Sequence, residues 1–117
     1  MTTDYSKLID AETWAFIERT SSYYPPDADG LTIAGQRAVY DRMCRGFHAG
    51  YPQGVSAETT AIAAPGRDIP IRIYRNAAPD LAAVVLYFHG GGFVLGGLES
   101  HDDVCAEICG RTGYEVV

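Results

Sequence analysis

The chain has 117 residues, enough for one small hydrophobic core. It is 47% hydrophobic and 21% charged, which is typical of a globular domain. Its net charge of −6 at pH 7 argues against a nucleic-acid partner, because binding to phosphates is driven mainly by basic residues.

The N-terminal residues and the cysteines bear on the cellular compartment. Residues 1–6 contain neither the basic region nor the apolar region of a signal peptide. The longest apolar run in the sequence is far shorter than a membrane-spanning helix. The three cysteines, Cys44, Cys105 and Cys109, are an odd number without the spacing of a disulfide framework. We therefore expect a cytoplasmic protein with no membrane partner.

Two amphipathic helices are predicted over residues 11–20 and 32–48. Asp10 is placed to cap the first helix with its side-chain oxygen, and Trp14 and Ile17 share one face of it. In the second helix the apolar residues recur at helical spacing: Val39, Tyr40, Met43 and Phe47. Prolines 25 and 26 separate the two helices, because proline does not continue a helix.

From Val55 onward the pattern changes from helix to strand. Residues 58–64 form one predicted strand and residues 65–68 a turn. In residues 69–74 three isoleucines alternate with other side chains, which predicts a half-buried strand. The two strands are expected to pair as an antiparallel hairpin at the edge of a sheet.

Residues 82–88 form an uninterrupted run of seven apolar side chains. Such a run is typical of a strand covered on both faces, as in a parallel sheet. A last helix is predicted to begin at Ser100, with Asp102 and Asp103 as solvated residues of its first turn. Gly110 or Gly113 is expected to end it, and a further strand begins before residue 117.

Between the apolar strand and the last helix stand three consecutive glycines, Gly90 to Gly92, beside His89. Glycine reaches positive φ without a Cβ clash and allows close approach to the backbone. Successive free N–H groups can then converge on a negatively charged oxygen. A dinucleotide-binding loop fits less well, because Leu95 stands where the third glycine belongs. A plain tight turn is the alternative, although such turns need only one or two glycines.

The segment from His89 to Phe93, with Gly96 and Gly97 behind it, resembles the oxyanion loop of lipases and esterases with the α/β-hydrolase fold. It looks most like the hormone-sensitive-lipase-like branch of that family. The resemblance implies an α/β fold in which an antiparallel edge hairpin precedes parallel strands. It also implies that residues 1–54 are a helical region of the cap type and that residues 55–117 are the first part of the core, ending in the fourth strand.

The resemblance assigns roles to the loop residues. The N–H groups of Gly91 and Gly92 would stabilise the oxyanion of a tetrahedral intermediate, and His89 and Gly90 would support the loop. Phe93 would line the substrate pocket, or else turn inward as part of the core. The resemblance implies neither a cofactor nor a metal.

The sequence lacks the nucleophile motif G-x-S-x-G of the family. The nearest string, residues 54–58, fails at its last position and precedes the loop instead of following it. We therefore expect the N-terminal third of a serine carboxylesterase for small esters, inactive alone. Its nucleophile, acid and base would come from the C-terminal remainder or a second polypeptide. The alternatives are a non-catalytic module that binds a ligand or partner, and a hydrolase of amide or lactone bonds.

Two further groups of residues deserve a chemical interpretation. His101, Cys105 and Cys109 share a helix face at spacings of four, but His101 and Cys109 would lie about 12 Å apart along the axis. That separation argues against a shared metal ion, so we expect the cysteines to pack as small apolar side chains. Cys44 has no identifiable base partner and is interpreted as structural.

Overall fold

The computed structural model describes residues 3–117. Residues 1 and 2, the first two of the N-terminal segment 1–6 considered above, lie outside the described residues. Within this range three α-helices and four strands follow one another along the chain. Their bounds are α1 Ala11–Ser21, α2 Ile33–Phe47, β1 Val55–Ala64, β2 Arg67–Asn76, β3 Val84–Val85, α3 Asp102–Thr112 and β4 Glu115–Val116.

Side-chain caps explain where the first two helices begin. A carboxylate oxygen of Asp10 accepts the N–H of Thr13 at 2.8 Å, and the hydroxyl of Thr32 accepts the N–H of Gly35 at 3.1 Å. Each cap satisfies an N–H group that has no partner inside its helix. The structure thus confirms both predicted helices and the cap at Asp10.

The strands form one mixed sheet in the order β1-β2-β4-β3. β1 and β2 pair as an antiparallel hairpin around Pro65 and Gly66, from the pair Ala64–Arg67 to the pair Val55–Asn76. β4 pairs antiparallel with β2 and parallel with β3. The expected α/β architecture, an edge hairpin followed by parallel strands joined through a helix, is confirmed.

The apolar run of residues 82–88 forms a shorter strand than predicted. Only Val84–Val85 is strand, and two more backbone hydrogen bonds join the run to Val117: the N–H of Tyr87 donates to the carbonyl of Val117 at 2.8 Å, and the N–H of Val117 donates to the carbonyl of Val85 at 2.9 Å. Leu86 and Phe88 are exposed. The prediction of a strand covered on both faces is wrong for residues 3–117, because Val85 and Tyr87 pack against the core while the opposite face of the run, with Val84, is exposed.

The hydrophobic core lies between α3 and the sheet. Its centre consists of Tyr74 from β2, Cys105, Ala106 and Cys109 from α3, and Val116 from β4. The two cysteines pack there as small apolar side chains, as predicted from the sequence. Burial, the main cause, raises the pKa of the Cys105 thiol to about 11.

The helix α3 begins later than predicted. Its first residue is Asp102, and His101 precedes it without a side-chain cap. Ser100 does not cap this helix, because its hydroxyl oxygen accepts the N–H of Gly97 at 2.8 Å. Gly113 ends the helix in the left-handed conformation, with φ of 75°, which is one of the two predicted ends.

A buried carboxylate lies beneath the start of α3. Asp102 is only 7% exposed. It accepts hydrogen bonds from the hydroxyl groups of Tyr74 at 2.6 Å and Tyr51 at 2.9 Å, from Arg72 at 2.7 Å and from Nε2 of His48 at 2.9 Å. We call these five residues the Asp102 cluster. The prediction that Asp102 is a solvated residue of the first helical turn is wrong, because donors from β2 and from the end of α2 surround it.

The Asp102 cluster ties several elements together. The N–H of Gly50 donates to Nδ1 of His48 at 2.9 Å, so the ring proton of His48 resides on Nε2 and points to Asp102. Arg72 also bonds to the carboxylate of Glu99 at 2.6 Å and to the carbonyl of Leu98 at 3.4 Å. The cluster therefore joins the end of α2, the hairpin, α3 and the segment that precedes α3.

The charge of Asp102 links the stability of the fold to pH. Burial alone would raise the pKa of this carboxyl, but the hydrogen bonds from Tyr74, Arg72, His48 and Tyr51 outweigh burial and lower it. A carboxyl whose pKa is lower in the folded state stabilises the fold above its unfolded pKa. That contribution is lost as the pH falls through the folded value.

We expect Asp102→Asn to lower the free energy of unfolding at neutral pH by about 3 kcal/mol, because Arg72 and two tyrosine hydroxyls lose their charged partner. The variant should also show a flatter loss of stability below about pH 4 than the unchanged protein. Urea denaturation at a series of pH values measures both effects.

Asp103→Asn is the matched control, because its side chain is more exposed, at 37% against 10% for Asp102. It should change the free energy of unfolding at neutral pH by less than about 0.5 kcal/mol and leave the loss of stability below about pH 4 unchanged. Equal effects of the two substitutions would show that the Asp102 cluster does not determine the loss of stability at low pH.

Candidate functional site

The glycine loop, defined here as residues 89–97, follows β3 and leads toward α3. In α/β sheets ligands bind at the carboxyl ends of the strands, which is where this loop begins. A Cβ atom added at Gly90, Gly92 or Gly97 would meet no described atom within 4 Å. The loop is therefore open to a molecule that approaches its backbone.

The backbone of the loop makes a tight turn in an unusual conformation. Three consecutive residues have positive φ, with 133° at Gly91, 62° at Gly92 and 61° at Phe93. The carbonyl of Gly91 accepts the N–H groups of Val94 at 3.1 Å and of Leu95 at 2.9 Å. These two hydrogen bonds close the turn and fix the orientation of the Gly91 carbonyl.

Two neighbouring amides in this turn have no partner in the described part of the chain. Within residues 3–117 the N–H groups of Gly91 and Gly92 donate to no acceptor. A side chain at Gly91 would overlap the carbonyl of Leu95, so only glycine fits this position. The two N–H groups that the sequence singles out are thus neighbours on this turn, and no internal hydrogen bond within residues 3–117 engages either of them.

Two histidines pack at the base of the loop. Nδ1 of His89 lies 2.8 Å from the carbonyl of Gly90 and must carry the proton, because a carbonyl oxygen only accepts. The rings of His89 and His101 stack with centroids 5.3 Å apart. A Cβ atom at Gly96 would lie 2.9 Å from the carbonyl of Gly90 and 3.0 Å from Nδ1 of His89. The two ends of the loop therefore meet in close contact here. His101 packs against this junction, a role that the sequence did not predict.

Burial is the main cause that lowers the pKa of His101, and the neighbouring His89 lowers it further. Nδ1 of His101 lies 2.9 Å from the hydroxyl oxygen of Ser100. The lowered pKa of His101 disfavours a positive charge on a ring that is stacked against His89.

The ring of Phe93 is fully exposed. The alternative in which Phe93 turns inward is thus wrong for the core that residues 3–117 form. Phe93 lines neither the cavity of about 320 Å³ beside β2 and β4 nor the cavity of about 370 Å³ against α3. Its part in a substrate pocket stays a prediction.

The other candidate residues take no part in the glycine loop. Among residues 3–117 no three side chains of His, Cys, Asp or Glu are grouped so that they could hold a metal ion. Burial is the main cause that raises the pKa of the Cys44 thiol, which is opposite to the shift that activates a nucleophilic cysteine. None of the helices in this part of the chain has the length and apolar character needed to cross a lipid bilayer.

Comparison with known proteins relates part of the chain to a family of the α/β-hydrolase fold. The family described as alpha/beta hydrolase fold matches residues 85–117, which contain the glycine loop, α3 and β4. An acetyl esterase of Salmonella schwarzengrund is 34% identical over 94 residues, a match that covers 80% of this chain and 28% of the esterase. The acetyl esterase of Salmonella typhi matches to the same extent.

Solved structures of esterases share the fold. An ester hydrolase from the metagenome of Lake Arreo superposes with a TM-score of 0.72 at 26% identity, over 99% of this chain and 36% of that protein. An esterase of the bacterial hormone-sensitive lipase family superposes with a TM-score of 0.69 at 21% identity, over 92% of this chain and 34% of that protein. The chain thus spans about a third of the length of the proteins that it matches. Part of the chain therefore matches the alpha/beta hydrolase fold family, and the chain is similar to acetyl esterases over 28% of their length and shares the fold of solved esterases.

Proposed function

We propose that the glycine loop is the oxyanion-binding element of a serine carboxylesterase. The observation that carries this proposal is that the N–H groups of Gly91 and Gly92, on an open turn after β3, have no acceptor among residues 3–117. Consecutive backbone donors of this kind bind the negative oxygen that forms when a nucleophile attacks an ester carbonyl. His89 and Gly90 support the turn, and Phe93 borders the substrate.

The chemistry follows from what such donors do. A serine hydroxyl attacks the ester carbonyl and passes its proton to a histidine, while the carbonyl oxygen becomes negative. The two N–H groups stabilise that oxygen more strongly than the neutral carbonyl, so they lower the barrier to the reaction. The tetrahedral intermediate then collapses to an acyl-enzyme as its alcohol leaves with the proton held by the histidine, and water hydrolyses the acyl-enzyme.

The nucleophile, acid and base lie outside residues 1–117 in this proposal. The sequence contains no G-x-S-x-G, and the chain covers 28% of the acetyl esterases that it matches. The remaining part of a longer polypeptide, or a second polypeptide, would bring these groups to the loop. Residues 1–54 then serve as a cap-type region and residues 55–117 as the first part of the core.

The name of the matched relatives favours a small substrate, because several are acetyl esterases. We propose short-chain carboxylic esters as the substrate class. The free cysteines Cys44, Cys105 and Cys109 favour a reducing compartment such as the cytoplasm.

We expect Gly91→Ala in the complete enzyme to lower kcat/KM for a short-chain p-nitrophenyl ester by about 10²–10³-fold, the usual effect of losing an oxyanion donor. The added Cβ would overlap the carbonyl of Leu95 and so displace the turn. The measurement is steady-state hydrolysis, with thermal denaturation to verify folding.

Two further glycine variants make this test specific. Gly92→Ala adds a Cβ that meets no described atom within 4 Å and costs about 1 kcal/mol of strain at its φ of 62°, so it should still fold while its methyl group hinders approach to the adjacent N–H. Gly97→Ala, in the same loop and equally uncrowded, should retain activity. Near-normal turnover by both Gly91→Ala and Gly92→Ala would contradict the oxyanion role.

A serine-directed phosphonate tests where the nucleophile lies. We expect it to abolish ester hydrolysis by the purified protein and to label a serine outside residues 1–117. Intact-mass analysis should then show a longer polypeptide or a second one beside the 12.7 kDa chain. A single folded 12.7 kDa species without phosphonate-sensitive activity would instead indicate a non-catalytic module.

A further inference from the structure

An arginine from the N-terminal helical region contacts the glycine loop. Nε of Arg37, on α2, donates to the carbonyl of Val94 at 2.5 Å, across 57 residues of sequence. A hydrogen bond from a guanidinium is charge-assisted, and it is stronger than one between neutral groups. The contact therefore joins α2 to the loop at one defined atom.

Val94 is the residue that closes the turn. Its N–H donates to the carbonyl of Gly91 at 3.1 Å, and its own carbonyl accepts from Arg37. Val94 is thus held through both of its backbone polar groups, one inside the loop and one outside it. A displacement of Val94 would change the direction of the Gly91 carbonyl and, through the shared peptide plane, of the Gly92 N–H.

The rest of the turn has little other support. Within residues 3–117 Gly92 and Phe93 make no hydrogen bond, and both have φ values that side-chain-bearing residues avoid. The hydrogen bonds to the Gly91 carbonyl close the turn from inside, and Arg37 is the guanidinium that holds it from outside. A turn in a strained conformation persists only where its surroundings fix it.

We propose that Arg37 is a positioning residue for the oxyanion-binding amides, acting through the carbonyl of Val94. This inference rests on the proposed esterase function. Arg37 does not touch the reacting atoms in this proposal; it keeps the turn in the orientation that the transition state requires. The helical region thereby contributes to turnover as well as to the covering of the site.

A second arginine on the same helix provides a matched control. Arg42 donates through Nη2 to the carbonyl of Tyr23 at 2.8 Å, so it also joins a guanidinium to a backbone oxygen. Both contacts are exposed. The difference is that the contact of Arg42 lies within the N-terminal helical region, away from the glycine loop.

The experiment compares Arg37→Met, Arg37→Lys and Arg42→Met in the complete enzyme, with a short-chain p-nitrophenyl ester and with a serine-directed phosphonate. We expect Arg37→Met to lower kcat about tenfold and to slow phosphonate inactivation by a similar factor, because misplaced donors stabilise the oxyanion poorly. KM should change less than about twofold. Arg37→Lys should recover part of kcat, because it retains a charged donor.

Arg42→Met should leave kcat and the inactivation rate unchanged, and urea denaturation should give similar stabilities for the two methionine variants. The inference is overturned if Arg37→Met keeps kcat within about twofold, or if Arg42→Met lowers kcat equally. In those cases the enzyme without substitutions still hydrolyses the ester, so the proposed function stands. An unchanged protein without phosphonate-sensitive hydrolysis would overturn the proposed function, and this inference with it.

Discussion

The two hydrogen bonds to the carbonyl of Gly91 are the constraint on which the candidate site depends. A peptide group is planar and trans, so fixing this carbonyl also fixes the N–H of Gly92, which points in the opposite direction within the same plane. With the carbonyl turned toward Val94 and Leu95, that N–H is turned away from the body of the turn. The absence of a side chain at Gly91 is what makes this geometry possible, since a Cβ atom would occupy the space of the Leu95 carbonyl.

The Asp102 cluster provides the frame behind this turn. An ionised carboxylate in a buried position is costly unless several donors surround it. Here two tyrosine hydroxyls, an arginine and a histidine do so, and they come from segments far apart in sequence, up to 54 residues from Asp102. Arg72 extends the frame to Leu98 and Glu99, just beyond the glycine loop. The loop is thus anchored after its last residue by charge and at its base by the packed rings of His89 and His101.

The sequence predicted those parts of the structure that depend on local chemistry. The run of glycines at positions 90–92 indicates a tight turn, because glycine suits the positive φ that Gly91 and Gly92 adopt, and Asp10 indicates a helix start through its own cap. The burial of Asp102 and its partners could not be predicted in this way. An acid in the first turn of a helix gives the same sequence pattern whether solvent or a buried arginine faces it. The available signal was the alternation of Arg72 and Tyr74 with the isoleucines of β2, which placed two polar donors on one strand face. The contact between Arg37 and Val94 joins residues 57 positions apart and has no local signature at all.

The positive φ of Phe93 has a consequence for how the protein would respond to laboratory evolution. A residue with a Cβ atom in this conformation carries a strain of roughly 1–2 kcal/mol, which glycine would relieve. Selection for heat resistance alone would therefore favour loss of the aromatic ring. Under the proposed function, in which the ring borders the substrate, selection for ester turnover would favour its retention. Variant libraries would need to be screened for heat resistance and activity together, because the most heat-resistant variants would carry glycine in place of Phe93.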